Sequence, residues 1–219
     1  MTDAGSAFEA RAAMMLHARQ AGVRDIAVLR AIETVAREKF VPHRFRDLAD
    51  RNIALPIGCG QTMSTAADLA WRLQALDLAS GHRLLEIGTG SGYGAATAAA
   101  IVRDVVSIER FETLAIEAAG RLARLPAPNV LVLHGDGLSP SRSLGSFDRI
   151  IVHASVPATP AALSQMLAPD GVMLLGRAAP GDRAGARLLR IVRRGPTFVE
   201  TDLGPCRLGA ATPGAAQAL

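Results

Sequence analysis

Cysteine is scarce here: Cys59 and Cys206 are the only two in 219 residues. That is too few for a disulfide framework or a cysteine-based metal cluster, and no metal site is expected. Cys59 reads as a small, partly buried residue. Aromatic residues make up 4% of the chain, which leaves no interleaved platform on which bases could stack. Lysine is nearly missing, with Lys39 alone beside scattered arginines. A net charge of +4 and a pI near 10.0 therefore do not form the footprint of a nucleic-acid binder. Arg187, Arg190, Arg193 and Arg194 cluster late in the chain and read as a solvated strand face. No apolar run reaches membrane-spanning length. The opening MTDAGSAFEARAAMM begins with an acid where a signal peptide carries basic residues. Nucleic acid and membrane are thus not expected as partners, and a cytoplasmic monomer is.

What remains is ordinary globular material, 49% hydrophobic and 20% charged, at a length suited to one sizeable core. A single domain is expected over 1–219: N-terminal helices and a loop in 1–65, an α/β core in 66–208, and a small-residue tail in 209–219 that reads as poorly ordered. Apolar residues at helical spacing predict helices over 7–20 and 24–38, separated at Gly22. Pro42 closes the second, because it disfavours helical geometry at Val41. The loop NIALPIGCGQTMST follows, broken by Pro56, Gly58 and Gly60.

Strands and helices then alternate. Helices are expected at 66–78, 93–101, 111–124 and 159–167, with strands at 83–87, 104–109, 129–134, 147–153 and 171–176. The strands LLEI, VVSI, NVLVLH and RIIVH are nearly all apolar, the pattern of a parallel sheet covered on both faces. LLRIVRR and TFVETDL read as a closing antiparallel pair turning at Gly195-Pro196. The fold class is α/β: a Rossmann-like, doubly wound, mostly parallel sheet with an N-terminal helical addition and a C-terminal antiparallel strand pair. Ligands in such sheets sit beyond the carboxyl ends of the strands.

One segment constrains chemistry most. From Leu84 the chain reads LLEIGTGSGYGAA, an apolar strand running into a glycine-rich turn that opens a helix. Gly88, Gly90 and Gly92 allow a tight turn with backbone amides close to a ligand, and Thr89, Ser91 and Tyr93 belong to the same loop. Dinucleotides are cradled by similar loops, so the acids decide. Glu109, next to Arg110, ends the following strand at the spacing of a ribose acceptor. Asp136, between Gly135 and Gly137, ends the third strand and is placed to accept from an adenine amino group, or simply to cap a turn. Glu86 precedes the first glycine, where it repels a pyrophosphate and favours a cation. A cationic adenosine ligand such as S-adenosyl-L-methionine fits better than a nicotinamide dinucleotide.

The chain resembles the protein-L-isoaspartate O-methyltransferases, a family of class I S-adenosylmethionine-dependent enzymes. The resembling stretches are REKFVP (37–42), LPIGCGQTMS (55–64), LLEIGTGSGY (84–93), VVSIER (105–110), HGDG (134–137) and FDRIIVHAS (147–155), in the family's order. The IGxGQTxS loop is the specific element. The resemblance implies methylation of the α-carboxylate of L-isoaspartyl residues in damaged proteins or peptides, which is protein repair. It implies Ser64 as the active-site serine, with Gln61, Thr62 and Met63 shaping the loop. By the residues alone, Ser64 or Thr65 also suits a helix cap, and Thr65 with Asp68 matches a capping box.

Two stretches depart from the family. After Ser64 the chain runs Thr65-Ala66-Ala67-Asp68, without the family's proline and ring. Asp68 adds negative charge beside a carboxylate site unless it turns aside to cap the helix. Near the end, Cys206-Arg207-Leu208-Gly209 keeps the arginine of the family's VRFVPL stretch and loses its apolar residues, leaving Arg207 and Phe198 as substrate contacts. The departures leave open a same-fold methyltransferase with another carboxylate or metabolite acceptor, or a cofactor-binding protein lacking isoaspartyl activity.

Overall fold

A computed structural model describes residues 3–125, 129–178 and 185–218. The N-terminal addition begins with α1 (Asp3–Gln20) and α2 (Ile26–Thr34). Asp25 caps α2 by accepting from the amides of Ala27 and Val28. The second helix was expected to run to 38, but Val35 is extended and a 3₁₀ turn, Arg37–Lys39, follows. The physical reason is tertiary. The Arg37 guanidinium is 1% exposed and donates to the carbonyls of Ala49 (2.6 Å), Arg51 (3.3 Å), Ile53 (3.0 Å) and Ser64 (2.9 Å), bonds that outweigh local periodicity.

The loop after Arg51 forms a small hairpin of β1 (Leu55–Pro56) and β2 (Thr62–Met63). Cys59 and Gly60, both at positive φ (53° and 62°), turn it in the I′ sense that matches strand twist. Helix α3 (Ala66–Ala75) follows, three residues shorter than expected because Asp77 adopts a left-handed φ of 55° that ends it.

The main sheet is built from β3 (Arg83–Ile87), β4 (Asp104–Glu109), β5 (Val130–His134), β6 (Phe147–Val156), β7 (Leu167–Arg177), β8 (Ala186–Arg194) and β9 (Thr197–Cys206). Its spatial order is β5-β4-β3-β6-β7-β8-β9, with the first five parallel and the last two antiparallel. Helices α4 (Tyr93–Ala99), α5 (Glu112–Leu122) and α6 (Ala161–Met166) lie along the chain between strands. Successive residues alternate faces: Leu84, Val105, Ile151 and Leu174 join the cluster under the N-terminal helices, while Leu85, Val106, Ile150 and Met173 join the opposite one. Two apolar faces per strand explain the near-continuous apolar runs.

Three expectations need correction. β7 begins at Leu167, not 171, because Leu167 already pairs with Phe147; the chain then bulges through Asp170 (φ 58°) before pairing resumes at Val172. β5 is an edge strand, and Leu131 on it is 52% exposed although the run is apolar up to His134. The segment after Leu208 is held in place over its described part, Leu219 lying outside the described residues. Ser155 bonds Gly209 and Ala211 through its backbone (2.8 Å each), and Ala216 donates to the Arg110 carbonyl (2.7 Å) while accepting from Glu112 (2.9 Å). Small side chains let this segment lie close against strand ends, the same composition that reads as disorder in isolation.

Candidate active site

Strand order reverses at β3, with β4 on one side and β6 on the other, and the crevice beyond their carboxyl ends is where ligands bind in such sheets. A cavity of about 1460 Å³ opens there, between the glycine loop and the β1–β2 hairpin. Gln61 through Ser64, Glu86, Gly88 through Ser91, Tyr93 and Arg207 all line it. Gly92, Glu109, Arg110 and Gly135 through Gly137 do not. The volume exceeds that of an ordinary small-molecule pocket.

Gly88, Gly90 and Gly92 all adopt positive φ (92°, 55° and 90°), which explains the glycine pattern of the loop. Gly92 also lets α4 approach α5, since a Cβ there would lie 3.3 Å from Ala118 Cβ. Glu109 lies behind the loop, 4% exposed, accepting from the amides of Gly90 (2.8 Å) and Phe111 (3.0 Å). Two amide bonds leave a carboxylate further lone pairs to offer. Glu86, 2% exposed, accepts from Ser107 Oγ (2.5 Å) and pairs with His153 Nε2 (3.0 Å). Ser107 in turn meets Thr89 Oγ1 at 2.6 Å.

Tyr93 stands in the loop, but its ring turns into the core, 5.6 Å from Phe40 and under the Arg37 guanidinium. Burial pushes its hydroxyl up to about 12, opposed by the nearby Arg37 charge. Asp136 accepts from the Leu138 amide (2.9 Å), the turn-capping alternative of the sequence reading. Arg110 lies over the Phe111 ring and donates to the Gly214 carbonyl, so its side chain holds the C-terminal segment. Phe198, offered as a substrate contact, pairs with Arg193 beside the β8–β9 turn and does not line the cavity.

The hairpin bears on the loop directly. Ser91 Oγ donates to Met63 Sδ (3.2 Å), and a Cβ on Gly90 would lie 3.2 Å from Ile57 Cδ1. Gln61 braces the hairpin through the Cys59 carbonyl. Thr65 is the N-cap of α3, accepting from the Asp68 amide at 3.0 Å. That frees Ser64, whose Oγ accepts from Arg72 Nη2 at 2.6 Å.

Sequence reasoning missed two residues here. Arg72, 2% exposed, bonds Ser64, the Asp68 carboxylate (2.7 Å) and His153 Nδ1 (2.8 Å). Asp68 thus turns its charge to Arg72 rather than to the helix start. His153 links that guanidinium to Glu86 across the crevice. Signals existed for both: Arg72 falls among the apolar positions of α3, and His153 lies on the strand flanking the switch point.

A glycine loop with acids at strand ends, on a sheet of this order, defines a class I methyltransferase-type α/β fold. The chain matches the model of the protein-L-isoaspartate(D-aspartate) O-methyltransferase family over residues 9–207, and it belongs to that family. It is 45% identical over 204 residues to protein-L-isoaspartate O-methyltransferase 2 of Rhodopseudomonas palustris (strain HaA2), covering 93% of each chain. It is 39% identical to the protein-L-isoaspartate O-methyltransferase of Azorhizobium caulinodans over all 219 residues, covering both chains completely. Among solved structures, a protein-L-isoaspartate O-methyltransferase superposes with a TM-score of 0.83 at 22% identity, covering 92% of this chain and 66% of that one. A Plasmodium falciparum structure described as a complex with S-adenosyl-L-homocysteine gives 0.76 at 20% identity, covering 90% and 96%. At these identities the structures speak for the fold.

Proposed function

We propose that this protein methylates the α-carboxylate of L-isoaspartyl residues in damaged proteins or peptides, using S-adenosyl-L-methionine. The observation that carries the reading is the meeting of the family's serine, Ser64, with the glycine loop across one cavity. The residues present fit such a cofactor: glycine-loop backbone at positive φ that can approach a ligand, and a buried acid, Glu86, before the first glycine. Gly88 through Ser91 and Glu86 would hold it, with Glu109 offering its remaining lone pairs to ribose hydroxyls, and Arg110 and Gly135 through Gly137 flanking the adenine end. When bound, the cofactor supplies a methyl group on a positively charged sulfur.

The chain's own task is placement. An α-carboxylate has a reference pKa of about 3.5, so it is ionised at neutral pH and needs no general base. Because Ser64 Oγ accepts from Arg72, its proton is free to donate to a substrate oxygen, which makes it an orienting group. Met63 and Ile57 bring the hairpin against the loop, where their apolar side chains would help keep water from the reacting pair. Gln61 and Thr62 shape the hairpin, and Arg207 stands exposed at the cavity rim toward an acidic peptide. We take the protein to act as a cytoplasmic monomer; Cys59 and Cys206 are unpaired, and no helix among the described residues is long and apolar enough to cross a membrane.

The test is transfer of labelled methyl from S-adenosyl-L-methionine to an isoaspartyl peptide beside its aspartyl twin. Transfer to the isoaspartyl form alone is expected. Equal labelling, or none in a protein that binds the cofactor, overturns the reading. Ser64→Ala is expected to lower turnover at least tenfold, about the worth of one hydrogen bond to a charged group, while cofactor affinity holds.

A further inference from the structure

We infer that Arg72 is the receptor for the substrate carboxylate and that Asp68 is a resident counter-ion which the substrate displaces. The inference rests on the carboxylate-acceptor reading above and identifies the group that selects the acceptor.

Arg72 is 2% exposed, so its N–H groups must find partners inside the protein, and one of those partners is a carboxylate. Its partner is unusual in position: the Asp68 side chain is 54% exposed while the Arg72 side chain it pairs with is buried. The cation is fixed and the anion can leave. Arg72 is held from the other side by His153 Nδ1, so it stays in place when Asp68 departs. Both Arg72 and Asp68 line the cavity, as does Ser64.

The Nη2 that Asp68 occupies is the same nitrogen that reaches Ser64 Oγ. An oxygen bound there therefore lies beside the serine, with the second carboxylate oxygen left to face the cofactor side. One anion replaces another, so the exchange leaves the guanidinium paired throughout. A neutral acceptor cannot drive it. This also removes the apparent conflict of an acid beside a carboxylate site: Asp68 repels the substrate only until Arg72 changes partners.

Trp71, the only tryptophan, lines the cavity beside Arg72 and reports binding without turnover. The experiment titrates its fluorescence with an isoaspartyl peptide bearing a free α-carboxylate and with its α-amide twin, in the full chain. Methyl transfer is measured in parallel. Asp68→Asn removes the competitor and is expected to tighten carboxylate binding about threefold, with KM falling alike, while amide binding stays unchanged. Arg72→Gln is expected to weaken carboxylate binding about tenfold to a hundredfold and abolish the preference over the amide, with partial recovery in Arg72→Lys.

A merely structural ion pair predicts the opposite sign for Asp68→Asn, with looser or unchanged binding, and that result overturns the inference. Asp68 is half exposed, so this arm survives even if Arg72→Gln fails to fold. If the parent shows no methyl transfer yet Asp68→Asn still tightens carboxylate binding, the isoaspartyl reading fails and the receptor assignment stands. If transfer occurs and Asp68→Asn does not tighten binding, the reverse holds.

Discussion

Arg37 keeps its charge inside the protein by surrendering it to carbonyls. Burial lowers its pKa, with the nearby Tyr93 and Asp50 acting in the other direction, but four backbone oxygens from two stretches of chain, 49–53 and Ser64, surround the guanidinium. One of those oxygens belongs to Ser64, so this buried guanidinium ties down the backbone of a residue that lines the cavity. Arg37→Gln is expected to cost about 3 kcal/mol, since it strands several buried acceptors. Denaturant unfolding checks this, through a lower midpoint at unchanged slope. Tyr93 gives a cleaner optical handle because it is the only tyrosine. Its hydroxyl is pushed up to about 12 by burial, against about 10 for a free phenol. The folded state therefore holds the proton more tightly than the unfolded state. The resulting stability is complete below about pH 10 and is lost as pH rises from there toward 12. Tyrosinate absorbance in the native protein is expected to appear only near pH 12, and titration at 10 would place the ring in solvent instead.

At the scale of elements, the β1–β2 hairpin and the start of α3 act as one piece. The I′ turn at Cys59-Gly60 sets the hairpin's twist, Arg37 ties down Ser64, and Thr65 supplies the cap that starts the helix. The division of labour between two adjacent hydroxyls matters. Thr65→Ala is expected to destabilise the protein by about 1 kcal/mol with little change in KM, while Ser64→Ala acts on turnover. Unfolding midpoints and kinetics on the same preparations separate the two. The capping box read from Thr65 and Asp68 is half realised: the threonine accepts as expected, but the acid's side chain goes to Arg72, one helical turn on.

At the scale of the whole molecule, the C-terminal segment crosses from the end of β6 to the end of β4, above the crevice. It bonds Ser155 at one side and Arg110, Glu112 and His134 at the other. The amides of Ala211 and Ala216 are donors in this crossing and are expected to exchange with solvent far more slowly than a free tail, which amide hydrogen exchange resolves residue by residue. Rapid exchange at both would detach the segment. The alternation of apolar runs with helical periods settled the sheet class in advance, because side-chain period and burial are local properties of the chain. The glycine loop was equally legible, since only glycine relieves the strain of three positive φ angles in five residues. Glu86, Glu109 and Asp136 were legible as acids at strand ends, but not their partners. Which oxygens they would spend on Ser107, Gly90 or Leu138 depends on neighbours twenty residues away or on the exact turn. Arg72 and His153 each left a trace in the sequence, but the link between them, the tail's order and the early end of α2 did not. Each arises from groups far apart in sequence, where a buried charge or a free backbone amide takes whatever partner the packed sheet brings within reach.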